Sequence, residues 1–219
     1  MTFGEVITEP YLSQKDRWPK TGRHILAQFD ENSVVVYQAY RLSIGHFAAQ
    51  HGYFGGEFSL NRMSWIKPNF LWMMFRCGWG TKEGQEVTLA VRLKRSAFDE
   101  ILSQAVHSIF VPEVYSTEAE WKHALSTSQV RLQWDPDHHP AGEKLERRAI
   151  QLGLRGVVLA HYAKDWIISI EDISAFVAEQ YQQVKNRRYA ELLIPQENVY
   201  PVDDPAILSR LRLSPPDPA

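Results

Sequence analysis

The chain has 219 residues and a formal net charge of −2, which predicts one domain with a large core and no global basic field to recruit nucleic acid. Its lone cysteine, Cys77, excludes an internal disulfide and a multi-cysteine zinc site, as suits a reducing cytoplasm. Arg76 interrupts the longest apolar run and the N-terminus lacks the pattern of a secretory signal, so a cytoplasmic protein with no membrane partner is expected.

Residues 1–22 are polar, contain Pro10 and Pro19, and read as an N-terminal arm. Six of the twelve prolines fall between Pro195 and Pro218, so residues 195–219 are expected to form an extended tail. Between them, residues 23–194 carry no repeat or linker and are predicted to form a single α+β domain.

In chain order, Ser33–Tyr40 is rich in β-branched residues and predicts a strand. Ser43 then reads as a helix cap, with Ile44, Phe47, Ala48 and His51 at helical spacing and Gly52 as the stop. Pro68 suits a first helical position, and Phe70–Cys77 is apolar on nearly every side, which predicts a buried helix. Val87–Lys94 alternates, with Val87, Leu89, Val91 and Leu93 inward and Thr88, Arg92 and Lys94 outward. Ser96 and Thr117 each open a capping box, the first for a helix burying Phe98, Ile101, Leu102, Ala105 and Ile109, the second for one carrying Trp121 and Leu125.

Three more strands follow. Gln129–Asp135 sets Val130, Leu132 and Trp134 against Arg131, Gln133 and Asp135. Ala149–Leu154 buries Ile150, Leu152 and Leu154, with Gln151 on the other side. Trp166–Ile170 is more uniformly apolar and reads as central, and a helix from Ser174 to about Leu193 places Phe176, Val177, Tyr181 and Val184 on one stripe. The last strands lack long helical crossovers, so the expected core is a twisted mixed β-sheet with packed helices.

The segment Arg62–Gly80 holds three of the seven tryptophans, three of the four methionines and the cysteine, together with Arg62, Lys67 and Arg76. Large apolar walls with a few fixed polar groups are what a ligand pocket is made of. The N–H groups at the start of the Pro68 helix attract an anion, either a phosphate or carboxylate ligand or the protein's own Asp or Glu. Lys67 and Arg62 add positive potential, and Trp65 or Trp72 could stack a flat ligand. Arg76 is expected to have a structural ion pair, and Cys77 to be a core residue rather than a nucleophile. Tyr37, Gln38 and Tyr40 end the first strand; Tyr37 and Gln38 point opposite ways, so at most one of them lines a given pocket. The eight histidines show no metal-ligand spacing, and no GxSxG, GxGxxG or phosphate-loop motif is present.

The stretches VVVYQAY, FSLNRMSWIKPNFLWMMFRCGWGTK, VRLQWDP, RRAIQLGL and WIISIEDIS together resemble one domain-of-unknown-function family of bacteria and fungi, over residues 23–176. That resemblance implies no particular chemistry. The order of elements is also distantly similar to that of ADP-ribosyltransferases. VVVYQAYRLSIGHFAAQHGYF resembles their first strand and helix, with Tyr37 at the cofactor-contacting position and Gly52 at the helix end. RMSWIKPNFLWMMF resembles their second block, with Ser64 and Trp65 at the junction. AIQLGLRGVVL followed by WIISI resembles the strand that begins at the catalytic glutamate and the strand after it, with Gln151 in the glutamate's place.

This second resemblance implies an ADP-ribosyltransferase-like fold that takes NAD as substrate, uses no metal, and has a protein or nucleic-acid acceptor. Arg62 and Lys67 would hold the pyrophosphate. Tyr37 with Trp65 or Trp72 would sandwich the nicotinamide, with Tyr40 alongside, and Gln151 would bind ribose. Glutamine supplies no negative charge to the oxocarbenium-like transition state, so another carboxylate is needed, and Asp135 is the first candidate. The alternative is a non-catalytic nucleotide or single-stranded nucleic-acid module. Its Trp/Arg surface would stack bases while Arg62, Lys67, Arg92 and Lys94 touch phosphates. Arg62, Lys67 and Trp65 scattered through a filled interior would mean core; arranged around a cleft they would mean a site.

Overall fold

Two larger β-sheets pack on a shared apolar cluster and, among the described residues, are joined by one backbone bridge. In a computed structural model, which describes residues 2–3 and 6–215, the first half of the chain forms β1 (Thr2–Phe3), β2 (Val6–Pro10), α1 (Tyr11–Arg17), β3 (Leu26–Ala27), β4 (Ser33–Tyr40), α2 (Leu42–His51), β5 (Ser64–Ile66), α3 (Phe70–Cys77), β6 (Val87–Lys94) and α4 (Arg95–Ser103). The second half adds β7 (Ala105–His107), α5 (Glu118–Thr127), β8 (Val130–His138), β9 (Lys144–Leu154), α6 (Gly156–Ala163), β10 (Ile167–Asp172), α7 (Ser174–Lys185), β11 (Leu193–Pro195), β12 (Asn198–Val199) and α8 (Pro205–Leu211). The class is α+β.

The first large sheet has the order β10–β6–β4, all antiparallel. Its middle is buried on both faces, which is why β4 carries an unbroken Val34–Val35–Val36 run rather than an alternating one. Val34 and Val36 join one apolar cluster, and Val35 and Tyr37 join the other. The Trp166–Ile170 strand, expected at the centre, is instead the edge strand β10, and Ile168 is 50% exposed there.

The second large sheet has the order β5–β9–β8–β7, mixed because β7 runs parallel to β8. The alternation along β8 and β9 is that read from the sequence. Leu132, Ile150 and Leu152 are buried in the cluster shared with Val34 and Leu89, which leaves Gln133, Asp135 and Gln151 for the other face. The two sheets meet where the Tyr37 N–H donates to the Lys67 carbonyl at 2.7 Å and the Lys67 N–H donates back at 3.3 Å.

Both expected extensions prove to be part of the fold. Within the supposed arm, β2 pairs with β11, and Tyr11 and Trp18 are buried. Within the supposed tail, β12 pairs with β3, Tyr200 and Leu211 are buried, and Ser214 exchanges backbone and side-chain hydrogen bonds with Arg23. The two ends are clamped together. The Gln14 amide donates to the Pro195 carbonyl at 3.0 Å and accepts from the Glu197 N–H at 2.7 Å, and the Trp18 indole donates to the Glu197 carbonyl at 2.9 Å. Prolines that read as an extended tail instead stop regular structure between short, specifically paired pieces.

Three further readings are corrected. Helix α7 ends at Lys185, where Arg187 takes a left-handed φ of 56°, and the chain then straightens into β11. The segment after Leu154 turns into α6 rather than continuing as strand. Ala105 lies in β7 and Ile109 is exposed, so the Ser96 helix is shorter than its apolar spacing suggested.

Candidate functional site

A cleft of about 780 Å³ lies beside the Tyr37–Lys67 bridge and takes its walls from β4, β5, α3, β8 and β9. That volume is in the range of small-molecule and cofactor sites. A second hollow of about 360 Å³, near Trp79, Thr88 and Tyr181, contains none of the residues predicted for a site. The larger cleft gathers Tyr40, Arg62, Ser64, Trp65, Lys67, Trp72, Asp135 and Gln151, which come from distant parts of the chain. The tryptophan-rich block therefore surrounds a concavity as well as filling core.

Two hydrogen-bonded groups fix the polar walls. At the β4–β5 end, the Tyr162 hydroxyl on α6 donates to the Gln38 side-chain oxygen at 2.6 Å. The Gln38 amide donates to the Ser64 hydroxyl at 2.9 Å and to the Trp65 carbonyl at 3.1 Å, and Tyr40 and Ser64 share a hydroxyl bond of 2.7 Å. Burial pushes the Tyr40 phenol up to about 12, so it stays neutral. On the β8–β9 wall, Gln133 donates to one oxygen of Asp135 at 2.9 Å and Gln151 donates to the other at 2.7 Å. Two amide N–H groups thus hold one carboxylate in a set orientation.

The cations are distributed along the cleft. Arg62 and Arg76 are exposed at the rim, while Lys67 sits inside at 6% exposure. Arg76, for which a structural ion pair was expected, has none among the described residues, and its guanidinium lies 5.9 Å from the centre of the Trp72 ring. Glu57 at the rim is taken up by Arg41 at 2.7 Å, whereas Asp135 has no ion pair among the described residues. Burial, with a smaller effect from the nearby Arg76 charge, lowers the Lys67 ammonium from its ordinary value to about 8.

Two assignments do not survive. The Tyr37 side chain is wholly buried in the cluster with Phe70 and does not line the cleft; by strand alternation its neighbour Gln38 does. The amino end of α3 is also closed. Pro68, expected at the first helical position, lies before the helix; Asn69 is the capping residue, and its side chain accepts from the Trp72 N–H at 2.7 Å. Glu197 accepts from the Phe70 N–H at 2.5 Å and from the Asn69 amide at 3.0 Å. The protein's own Glu197 carboxyl group therefore fills the position considered for a ligand anion.

Cys77 is fully buried and burial pushes its thiol up, as expected of a core residue. Arg92 donates to the Ser33 hydroxyl at 2.8 Å and Lys94 to the Asp165 carbonyl at 2.9 Å, both at the end of β6 paired with the start of β4 and away from the cleft. Gln133 was on the correct strand face in the sequence reading but was given no role. Tyr162 could not have been found, because it reaches Gln38 from a helix that was not predicted.

Among the described residues, no helix is long and apolar enough to cross a membrane, and no group of three His, Cys, Asp or Glu side chains is placed to hold a metal ion. Fold and site thus define an α+β protein with a cationic, aromatic-walled cleft. Residues 24–200 match the family described as Domain of unknown function (DUF4291), and the chain belongs to that family. No curated protein matches it.

Proposed function

We propose that the cleft binds a nucleotide, with NAD as the ligand, and that the protein is an ADP-ribosyltransferase-like enzyme acting on an acceptor yet to be identified. One observation carries this reading: Arg62, Lys67 and Arg76, none of them ion-paired among the described residues, share an aromatic-walled cleft with a single unpaired carboxylate. Such a cleft is short of negative charge, which the phosphates of a nucleotide would supply. Trp65 offers a face for a flat ring, whereas Trp72, 4% exposed and already stacked with Phe75 and His138, only walls the cleft; Gln151 with Ser64 offers hydrogen bonds to ribose hydroxyls. The loss of nicotinamide leaves positive charge on the ribose. Asp135, held by Gln133 and Gln151, would oppose that charge where ADP-ribosyltransferases use a glutamate.

The pyrophosphate is assigned to the exposed Arg62 and Arg76, not to Lys67 deeper in the cleft and not to the α3 terminus, which Glu197 occupies. Calorimetric titration with NAD at two temperatures tests the reading. Saturable binding is expected, weakened by about 1.5–3 kcal/mol, roughly 10- to 150-fold, in Arg62→Ala. No heat at either temperature sinks the NAD assignment; salt-dependent binding of single strands would then favour the non-catalytic module.

A further inference from the structure

Lys67 is unusual among the cleft cations. It follows β5 directly, and its backbone is pinned to Tyr37 in the middle of β4. Its side chain is 94% buried and opens on the cleft, and its ammonium has no hydrogen bond or ion pair among the described residues. A permanently charged ammonium in that position would forgo several kcal/mol of hydration with no fixed partner in return. The charged and titratable groups around it are Arg76 and Cys77 on α3 and Asp135 on β8. Arg76 and burial favour the neutral amine, and Asp135 lies within electrostatic reach as a proton acceptor. Desolvation beside a second cation is one of the ways proteins turn lysine into a nucleophile, so the Lys67 amine, held at about 8, is partly neutral near physiological pH.

We infer that Lys67 is an amine nucleophile that captures the anomeric carbon of a bound ribosyl ligand. The inference rests on the nucleotide reading for its ligand, but not for the reactivity of the amine. With NAD, the neutral Lys67 Nζ bonds to C1 of the ribose that carries nicotinamide. The C1–N bond to the pyridinium ring breaks, its electron pair stays on the ring nitrogen, and neutral nicotinamide leaves. The proton released by the amine passes to Asp135. The resulting glycosylamine opens to an imine, and hydrolysis or transfer to an acceptor returns the free amine. A covalent lysine of this kind would let a site with Gln151 and a single oriented carboxylate do what a glutamate does elsewhere.

Free ADP-ribose with cyanoborohydride is the probe. The C1 aldehyde condenses with the amine, losing water, and the hydride donor reduces the imine to a stable secondary amine that peptide mass spectrometry can locate. Trapping is expected at Lys67 ahead of exposed lysines, rising with pH to a plateau above a midpoint near 8, and absent in Lys67→Arg. Arg76→Ala should move that midpoint up and Asp135→Asn should move it down, shifts that a purely structural lysine would not report. ADP-ribose that binds by calorimetry yet leaves Lys67 unmodified overturns the inference while the nucleotide reading stands. ADP-ribose that does not bind removes the nucleotide reading. The inference is then decided by reductive methylation with formaldehyde: a Lys67 midpoint near 8 upholds the nucleophile, and one at the ordinary 10.5 overturns it.

Discussion

Glu197 closes the amino end of the helix that begins at Phe70, accepting the Phe70 N–H at 2.5 Å from 127 residues away in sequence. Burial is complete and holds the Glu197 carboxyl well above the usual carboxylate range, against the opposing pull of the Phe70 bond. The α3 terminus is therefore an internal joint between the tryptophan-rich block and the C-terminal segment.

Replacing Glu197 with Ala leaves the Phe70 N–H and the Asn69 amide unsatisfied in the interior and should cost about 2–4 kcal/mol in chemical denaturation. Glu197→Gln keeps an acceptor for Phe70 and should cost less. The two changes also separate by pH. A carboxyl whose folded pKa is raised stabilises the fold below the ordinary carboxylate range and loses that contribution as pH rises through the folded value. Wild type should lose about 1.4 kcal/mol per pH unit relative to Glu197→Gln once pH passes the ordinary carboxylate value, up to the folded pKa. A difference between the two proteins that stays flat from pH 4 to 8 would refute this.

A chain ending at Ile194 should not fold cooperatively. The lost segment includes Glu197, the β12–β3 pairing and the buried side chains of Tyr200 and Leu211. Each buried large side chain is worth about 1.5–3 kcal/mol, and the lost helix cap adds to that, so the sum rivals a typical domain stability of about 5–15 kcal/mol. A sigmoidal thermal transition like that of the full chain would show the segment to be dispensable.

Placing a glutamate at position 151 should harm the protein. The Gln151 amide donates to Asp135 at 2.7 Å, and a carboxylate in its place would face another carboxylate. Like charges that close cannot both ionise, so one pKa rises and stability falls as pH increases. Gln151→Glu should lose about 1–3 kcal/mol at pH 8 and recover much of it at pH 4.5, read from urea midpoints. Asp135→Asn tests the same wall for chemistry. On the NAD reading it should leave affinity within about threefold but lower nicotinamide release by at least 100-fold, measured by chromatography.

His138 is 2% exposed, its ring stacks 3.5 Å from Phe75 with Trp72 alongside, and among the described residues its ring nitrogens have no well-formed hydrogen bond, only a contact with the Pro136 backbone. A buried imidazole so poorly hydrogen-bonded is costly, so His138→Phe should keep the stack and raise stability by about 1 kcal/mol. A lower melting temperature would mean that the imidazole has a partner in solution.

Local periodicity carried much of the secondary structure. The β-branched run of β4, the inward positions of β6, β8 and β9 and the apolar block of α3 are each set by neighbours in the chain and lie where their spacing implied. Thr88, read as outward, is buried because β6 is central in its sheet. Alternation also put Gln133, Asp135 and Gln151 on one face before any pairing was known. The elements that were misread depend on partners far away. α1, β11, β12 and α8 are short pieces with weak local signals, stabilised by contacts such as Gln14 with Pro195 and Trp134 with the Leu211 carbonyl.

The candidate site divides in the same way. Its chemical inventory, the cations and tryptophans of Arg62–Arg76 and the polar face of two strands, could be read from residue type and spacing alone. Which of those groups would face a cleft, and which would be used up within the protein, depended on the three-dimensional arrangement. Glu197 took the helix terminus, Arg41 took Glu57, and Tyr37 went into the core. Arg62, Arg76 and Lys67 were left without ion pairs among the described residues. Spacing sets the direction in which a side chain leaves its own strand or helix, whereas burial and pairing depend on what distant segments bring against it.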